Sequence, residues 1–311
     1  MWRTILRRAL SLIFVLFSVT FLTFIVSYLA PGDPVRNMMS GRQDPLRYVF
    51  LRHLYGLDQP WFQQYATFVL HLFQGNLGYS FKYPERPVWD LIASGVPVSL
   101  KLGLLALTLS LLIGVPVGIF AAVHQSTWKD TSMMVAMLAL YSIPSFVMIP
   151  IVWVIDLALY KAGLPYLPVA GWGTPLHVIL PVLVLAAANV GFIARIMRNS
   201  MLEVMRQDFI RTARAKGLPE RLVLRRHVFR NALLPLLTVL GPATAFLITG
   251  AFVVENLFAI PGIGYLSIQA IGQRDYPVIQ ATTILLALSV VLMNMITDFG
   301  YTLADPRVRI E

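Results

Sequence analysis

The sequence has no cysteine among its 311 residues and few charged side chains, and each shortage excludes a class of protein. Without cysteine there is no disulfide framework, no thiolate metal site and no cysteine nucleophile. Only 13% of the residues are charged and 57% are hydrophobic, whereas soluble domains carry roughly 25% charged residues. A soluble fold of this size could not cover its surface with so few charges. The composition therefore indicates a chain that uses lipid as its solvent.

Motifs for nucleotide, metal and acid–base chemistry are also absent from the sequence. No Gly-x-x-x-x-Gly-Lys-Ser/Thr phosphate loop occurs, since Lys216-Gly217 has the wrong order and context. The five histidines are scattered without the spacing of metal ligands, and no nucleophile lies near a base in a recognisable pattern. We therefore expect a protein that is not an enzyme and that binds no metal or cofactor itself.

Six continuously apolar stretches are each long enough to cross a bilayer core of about 30 Å as a helix. They cover residues 9–30, 98–123, 132–159, 176–197, 233–256 and 278–300. The first stretch begins with basic residues, as a signal peptide does. Its apolar run is longer than that of a signal peptide, and Pro31 after Ala30 is a poor context for cleavage, so we expect a retained helix. None alternates as a membrane β-strand does. The sequence thus predicts an all-α integral membrane protein with six transmembrane helices.

Lysine and arginine are distributed unevenly around these spans, which predicts the orientation of the chain. The segments 1–8, 124–131, 195–232 and 301–311 hold 16 of the 25 basic residues. Because basic loops stay in the cytoplasm, both termini are expected there. The predicted organisation is a cytoplasmic tip and first helix, a periplasmic segment, a membrane core with a cytoplasmic loop, and a cytoplasmic tail. These parts are 1–30, 31–97, 98–300 with the loop 198–231, and 301–311.

Proline and glycine residues within the spans predict kinks and close helix contacts. Pro144 and Pro150 in the third span each remove a backbone donor and tend to bend the helix. Gly114 and Gly118 form a GxxxG pair that permits close approach of another helix. We interpret this pair as ordinary packing in preference to a gating hinge.

The basic loop between the fourth and fifth spans has an apolar stripe. Its apolar residues recur at helical spacing, which predicts an amphipathic helix from Ser200 to Lys216. The stripe consists of Leu202, Met205, Phe209 and Ala213. Gly217 suits a left-handed helix end, and Pro219 suits the first turn of a following helix. The basic residues of the loop can be explained by their role in orienting the chain and by attraction to anionic lipid. Neither explanation accounts for the apolar stripe, and a stripe without a partner indicates protein docking.

The loop contains Ala213-Arg214-Ala215-Lys216-Gly217, preceded by Asp208-Phe209 and followed by Leu234-Pro235. This pattern resembles the "EAA" loop of ABC-transporter permeases, in particular the dipeptide/oligopeptide/nickel import family and its first-permease (DppB/OppB-like) branch. Further motifs along nearly the whole chain fit that family: Pro31-Gly32-Asp33-Pro34, Gly56-Leu57-Asp58-Gln59-Pro60, Gly75-Asn76-Leu77-Gly78, Arg274-Asp275-Tyr276-Pro277 with Gln280, and Asp305-Pro306-Arg307. Arg211-Thr212-Ala213 stands where the general pattern has Glu-Ala-Ala, a departure that suits the peptide/nickel branch.

The resemblance implies the type I ABC importer permease fold with an extra N-terminal helix, half of a translocation pathway, and alternating access in a bacterial inner membrane. It implies three kinds of protein partner besides lipid, and no nucleic acid. They are a second homologous permease subunit, two cytoplasmic ATPase subunits that bind ATP and Mg²⁺, and a periplasmic or lipid-anchored substrate-binding protein. Di- or oligopeptides are the expected solute; nickel, glutathione or another small solute is the alternative within the family. An ion-coupled secondary transporter is the alternative from another class.

Three groups of site residues are expected. The resemblance assigns ATPase docking to Asp208, Phe209, Arg211, Ala213, Arg214, Ala215, Lys216, Gly217 and Leu218. The translocation-path candidates are Asn189, Asp156 and Glu255, since polar groups within spans are costly in lipid. The two acids lie near span ends, where hydration would lower that cost, and Asn189 could equally bond an adjacent helix. The candidates for a periplasmic gate or for binding-protein docking are Pro261, Gly262, Gly264, Arg274 and Asp275.

Overall fold

A computed structural model describes residues 2–39 and 44–304, apart from the side chains of residues 2–9, 239, 241–250 and 298–304. The described residues are helical, except for loops and an isolated bridge between Tyr79 and Pro87. The α-helices are α1 Trp2–Leu29, α2 Pro34–Met38, α3 Pro45–Leu54, α4 Trp61–Phe73, α5 Val88–Val123, α6 Trp128–Ser142, α7 Ser145–Lys161, α8 Leu176–Met205, α9 Asp208–Ala215, α10 Glu220–Leu222, α11 Phe229–Leu257, α12 Ile263–Gln273 and α13 Tyr276–Ala304. A π-helix, Val223–Val228, precedes α11. The predicted all-α membrane fold is confirmed.

Four helices among the described residues, α1, α5, α8 and α13, are long and apolar enough to cross a membrane. The predicted span 132–159 is not one helix, because α6 and α7 meet at an angle of 109°. Pro144 disfavours the helical conformation of the residue before it, and Ile143 accordingly has φ −83° and ψ 117°. The predicted span 233–256 lies within α11, where the side chains of 239 and 241–250 are outside the described set.

The chain folds into two compact units. The first comprises the residues up to Ser99 together with Pro261–Ser289, and the second comprises Leu100–Ile260 together with the residues from Val290 onward. In the first unit, the Tyr65 ring of α4 packs against aromatic rings of α1, and its hydroxyl lies 3.2 Å from Thr20 Oγ1. The start of α5, which begins at Val88 instead of the predicted residue 98, packs with α12 and α13 through Val88 and Ile92.

In the second unit, α8 is the most buried of the helices that could span a membrane. Glycines of neighbouring helices allow it to be approached closely. A Cβ at Gly118 would lie 2.5 Å from the carbonyl oxygen of Ala194, and one at Gly114 would lie 2.9 Å from Cγ2 of Ile193. Packing against α8 therefore accounts for the GxxxG pair, as predicted.

Candidate functional site

The basic loop leaves the core as a continuation of α8. The predicted single helix from Ser200 to Lys216 is wrong: α8 ends at Met205 and α9 begins at Asp208. Gln207 between them is extended, with φ −69° and ψ 147°. Asp208 then occupies the first turn of α9, where a carboxylate interacts favourably with the helix dipole.

One face of α9 is anchored in the core of the second unit. Ile210 is fully buried and Ala213 is 7% exposed, and both belong to a cluster with Met197 and Met201 of α8. Ala213 therefore packs inside the chain, which corrects its prediction as a docking contact. Sequence analysis missed Ile210, which lies three residues before Ala213 and shares its face, because Phe209, four residues before Ala213, fits the same spacing. Leu218 is half-buried and packs against the same cluster.

The rest of α9 is exposed, beginning with Phe209 at the edge of the anchored face, about 40° from Ala213 around the helix axis. The Phe209 side chain is 46% exposed on a helix that is otherwise mostly polar. The other predicted docking residues that are exposed are Asp208, Arg211, Arg214, Ala215, Lys216 and Gly217. Arg211 lies 3.4 Å from Asp208, a contact between exposed groups that contributes little to stability. The loop thus presents the phenyl ring of Phe209 among exposed charged side chains.

Gly217 ends this element in the left-handed conformation, with φ +75°, as predicted. A Cβ at this position would meet no atom within 4 Å. Glycine is therefore required here by the backbone conformation and not by crowding within the chain.

An ion pair spans the turn that Gly217 makes. The Arg214 guanidinium donates to both carboxylate oxygens of Glu220, at 2.7 and 3.0 Å. Hydrogen bonding from Arg214 lowers the pKa of Glu220, and the same bond raises the pKa of Arg214. Arg214, predicted to supply charge to a partner, is thus already engaged in joining α9 to α10.

A second bidentate ion pair fixes the base of the loop. Arg198 of α8 donates to both oxygens of Asp130 in the first turn of α6, each at 2.6 Å. Asp130 also accepts a hydrogen bond from the backbone N–H of Ser126, at 3.1 Å. Sequence analysis missed this pair, although both residues lie at predicted cytoplasmic ends of spans and carry opposite charges.

The π-helix Val223–Val228 joins the loop to α11. Its first and last residues, Val223 and Val228, are fully buried in the cluster that holds Ile210. π-helices are rare and occur mostly where a helix must accommodate a functional constraint. The loop is consequently tied to two long helices, α8 before it and α11 after it.

The translocation-path candidates are all buried. Asn189 is 3% exposed and its amide donates to the Leu185 carbonyl of its own helix, at 3.2 Å. Asp156 is 4% exposed and Glu255 is fully buried, so the expected hydrated position near span ends is wrong for both. Asp156 Oδ2 and the nearby Trp153 Nε1 have no hydrogen-bond partner among the described residues.

The periplasmic candidates have mainly structural surroundings. Asp275 is 3% exposed and accepts hydrogen bonds from the backbone N–H groups of Phe81 and Lys82, at 2.9 and 3.2 Å, and from the Ser80 hydroxyl. Arg274 is left-handed, with φ +57°, and its guanidinium covers Gly32.

The glycines of the segment 261–264 serve close packing. Gly262 precedes α12, and a Cβ on Gly95 of α5 would lie 3.2 Å from its carbonyl carbon. Gly264 is buried within α12, whereas Pro261 is exposed.

Two family models match the chain. One, described as "Binding-protein-dependent transport system inner membrane component", matches residues 114–310, and the corresponding N-terminal model matches residues 1–103. The oligopeptide transport system permease protein OppB of Haemophilus influenzae is 40% identical over 99% of this chain and 100% of that protein. The dipeptide transport system permease protein DppB of Lactococcus lactis subsp. cremoris is 38% identical over 100% of both. A solved inward-facing structure of the MetNI methionine ABC transporter matches with a TM-score of 0.58 and 19% identity, over 69% of this chain and 96% of that chain.

Proposed function

Since this chain belongs to the family of binding-protein-dependent transport system inner membrane components, we propose that it is a permease subunit of an ATP-driven peptide importer. It is a multi-pass integral membrane protein, and ATP hydrolysis is carried out by separate ATPase subunits. The names of its OppB and DppB relatives support di- or oligopeptides as the solute, in preference to nickel or glutathione.

The observation that carries the proposal is the construction of α9. Ile210 and Ala213 fix one face of this short helix to α8, and its exposed face begins with Phe209 at the edge of the anchored one. An exposed aromatic side chain with surrounding charges is typical of a protein-docking contact. We assign this face to a cytoplasmic ATPase subunit.

The contacts of the loop suggest how movement would pass from the ATPase to the membrane. The Arg214–Glu220 pair stiffens the turn, and the Asp130–Arg198 pair fixes the base of the loop to α6. A displacement of α9 would therefore move α8 and α11 together instead of bending the loop. Alternating access then follows when ATP-bound subunits close and hydrolysis resets them.

The remaining partners follow from the same family. We assign to the complex a second, homologous permease, two ATPase subunits that bind ATP and Mg²⁺, and a periplasmic or lipid-anchored binding protein. We assign the complex to the bacterial inner membrane, with six spans in this chain and both termini in the cytoplasm. This chain would form half of the pathway and would bind no nucleotide or metal.

The docking assignment is tested by Phe209→Ala. Removing a central aromatic anchor should weaken association with the ATPase subunits by about tenfold, or about 1.4 kcal/mol. The measurement is the amount of ATPase that co-purifies with the tagged permease in mild detergent, together with ATP-driven uptake of a tripeptide into proteoliposomes. Phe73→Ala is the matched control, because Phe73 is 84% exposed but lies on α4, outside the loop.

Undiminished ATPase recovery with Phe209→Ala would contradict the docking assignment. Uptake by the purified permease without ATPase subunits would instead favour the secondary transporter. Uptake of nickel or glutathione in place of the tripeptide would support the assignment as an ATP-driven importer but contradict peptides as its solute.

A further inference from the structure

The first unit contains a cleft of 860 Å³ that the functions assigned above do not use. Its volume lies within the range of about 300–1,000 Å³ that is typical of small-molecule sites. Its walls come from the C-terminal part of α1, the ends of α3 and α4, the segment 76–84, and the beginning of α13.

Two buried polar side chains line this cleft. Ser27 of α1 and Gln280 of α13 are each 8% exposed. Neither side chain forms a hydrogen bond within the described part of the chain. Their polar atoms are accessible from the cleft, so both side chains can form hydrogen bonds with a ligand or water there.

Aromatic rings make up much of the remaining wall. They come from α1, α4, α13 and the loop before α5, and they include Tyr28, Phe68, Tyr276 and Tyr79. Aromatic surfaces accept many kinds of side chain, because they offer contact area with little conformational entropy to lose.

Few lysine, arginine or acidic side chains line the cleft among the described residues. Arg52 is the single lysine or arginine among the described lining residues. Its guanidinium already donates to the Leu57 carbonyl, at 3.2 Å, and lies 6.0 Å from the Tyr48 ring centre. Asp33 is likewise engaged by the Tyr48 hydroxyl and by the backbone N–H of Val35. Both charged groups therefore already have contacts within the chain, although the Arg52 guanidinium keeps its charge.

We propose that this cleft binds an extended peptide before it enters the pathway. The Gln280 carboxamide offers both donors and an acceptor, so it can pair with the N–H and C=O groups of a main chain whatever its side chains are. The Ser27 hydroxyl supplies a further donor and acceptor, and the aromatic rings pack against peptide side chains. The inference rests on the proposed function, since it takes peptides as the solute.

The test uses the assembled transporter in lipid nanodiscs, without its binding protein. The probe is an alanine tripeptide with photo-leucine at its centre, and cross-links are mapped by mass spectrometry. We expect saturable cross-links to the cleft residues that excess unlabelled tripeptide abolishes. Gln280→Leu and Ser27→Ala should each raise the half-saturating probe concentration by about tenfold. Gln269→Leu is the control, because Gln269 is exposed on α12 and does not line the cleft.

Cross-linking that excess tripeptide does not reduce, or that neither variant weakens, would overturn the proposal. So would native mass spectrometry that finds a bound phospholipid which the tripeptide cannot displace. If Gln280→Leu does not assemble, as judged by gel filtration, Ser27→Ala decides alone. ATP-driven tripeptide uptake into proteoliposomes with the binding protein separates the two proposals. Uptake without cross-links in the cleft rejects this site only, whereas absence of uptake in the wild type rejects the peptide importer.

Discussion

At the scale of single residues, the ion pair between Asp130 and Arg198 is the strongest candidate for a stabilising polar contact. The side chains are 5% and 23% exposed, so solvent screens them little. Removing one partner of a buried pair leaves the other charge uncompensated. Asp130→Asn should therefore lower the free energy of unfolding by about 2 kcal/mol, less than a fully buried pair would lose.

The measurement is thermal unfolding of the assembled complex in detergent. Asp90→Asn is the matched control, because Asp90 also lies in the first turn of a helix but is exposed. Adding Arg198→Met to Asp130→Asn should recover part of the loss, since it removes the stranded charge. Equal stability of Asp130→Asn and the wild type would show that the pair contributes nothing.

The backbone at Gly217 gives a second prediction for a single residue. Because its Cβ position is open, substitution tests the left-handed conformation alone. Gly217→Val should destabilise the turn by about 1–2 kcal/mol, whereas Gly217→Asn should be far milder, because asparagine tolerates this conformation. The amount of ATPase that co-purifies in mild detergent should accordingly fall more with Gly217→Val than with Gly217→Asn. Equal losses with both variants would locate the cause in contact with the partner instead.

At the scale of the element, the pair of helices around Gly217 should respond to acid. The pKa of Glu220 is lowered by Arg214, so its contribution to stability is present above the ordinary glutamate pKa and is lost as the pH falls through the lowered value. Both groups are exposed, which limits the contribution to less than about 1 kcal/mol. Pepsin should therefore cut the wild-type loop more slowly than the Glu220→Gln loop at pH near 5.5.

That difference should disappear once the pH falls below the lowered pKa of Glu220, because the carboxyl group is then protonated in the wild type as well. Comparison of the two proteins at each pH removes the effect of pH on pepsin itself. A difference that does not shrink as the pH is lowered would mean that the ion pair is not what protects the loop.

The same element shows where sequence analysis reaches its limit. Phe209 and Ile210 are adjacent and both apolar, so helical spacing alone does not decide which one faces the core. The predicted stripe used Phe209, whereas the structure buries Ile210 completely. The break at Gln207 rotates α9 away from the phase of α8 and thereby exposes Phe209.

At the scale of the whole molecule, the membrane made much of the architecture predictable. The thickness of a bilayer forces long apolar runs, and each of the six predicted stretches is mostly helical, with a break between α6 and α7 in the third. Pro144 predicts a bend in the third span. The angle of 109° could not be predicted, because it depends on how α6 and α7 pack against the other helices. The prediction that Asp156 and Glu255 are hydrated was wrong, because the number of residues to the end of a span does not determine whether a side chain is buried by neighbouring helices.

The π-helix Val223–Val228 has a consequence for how such loops can vary. An α-helix advances about 100° for each residue, so one extra or missing residue changes the azimuth of everything beyond it by that amount. Deleting one residue here, with return to α-helical pairing, would turn α9 and its aromatic tip about 100° around the axis of α11. Because Ile210 and Ala213 hold α9 against α8, such a turn would break their contacts in the buried cluster, so the length of this junction is fixed by the packing of α9.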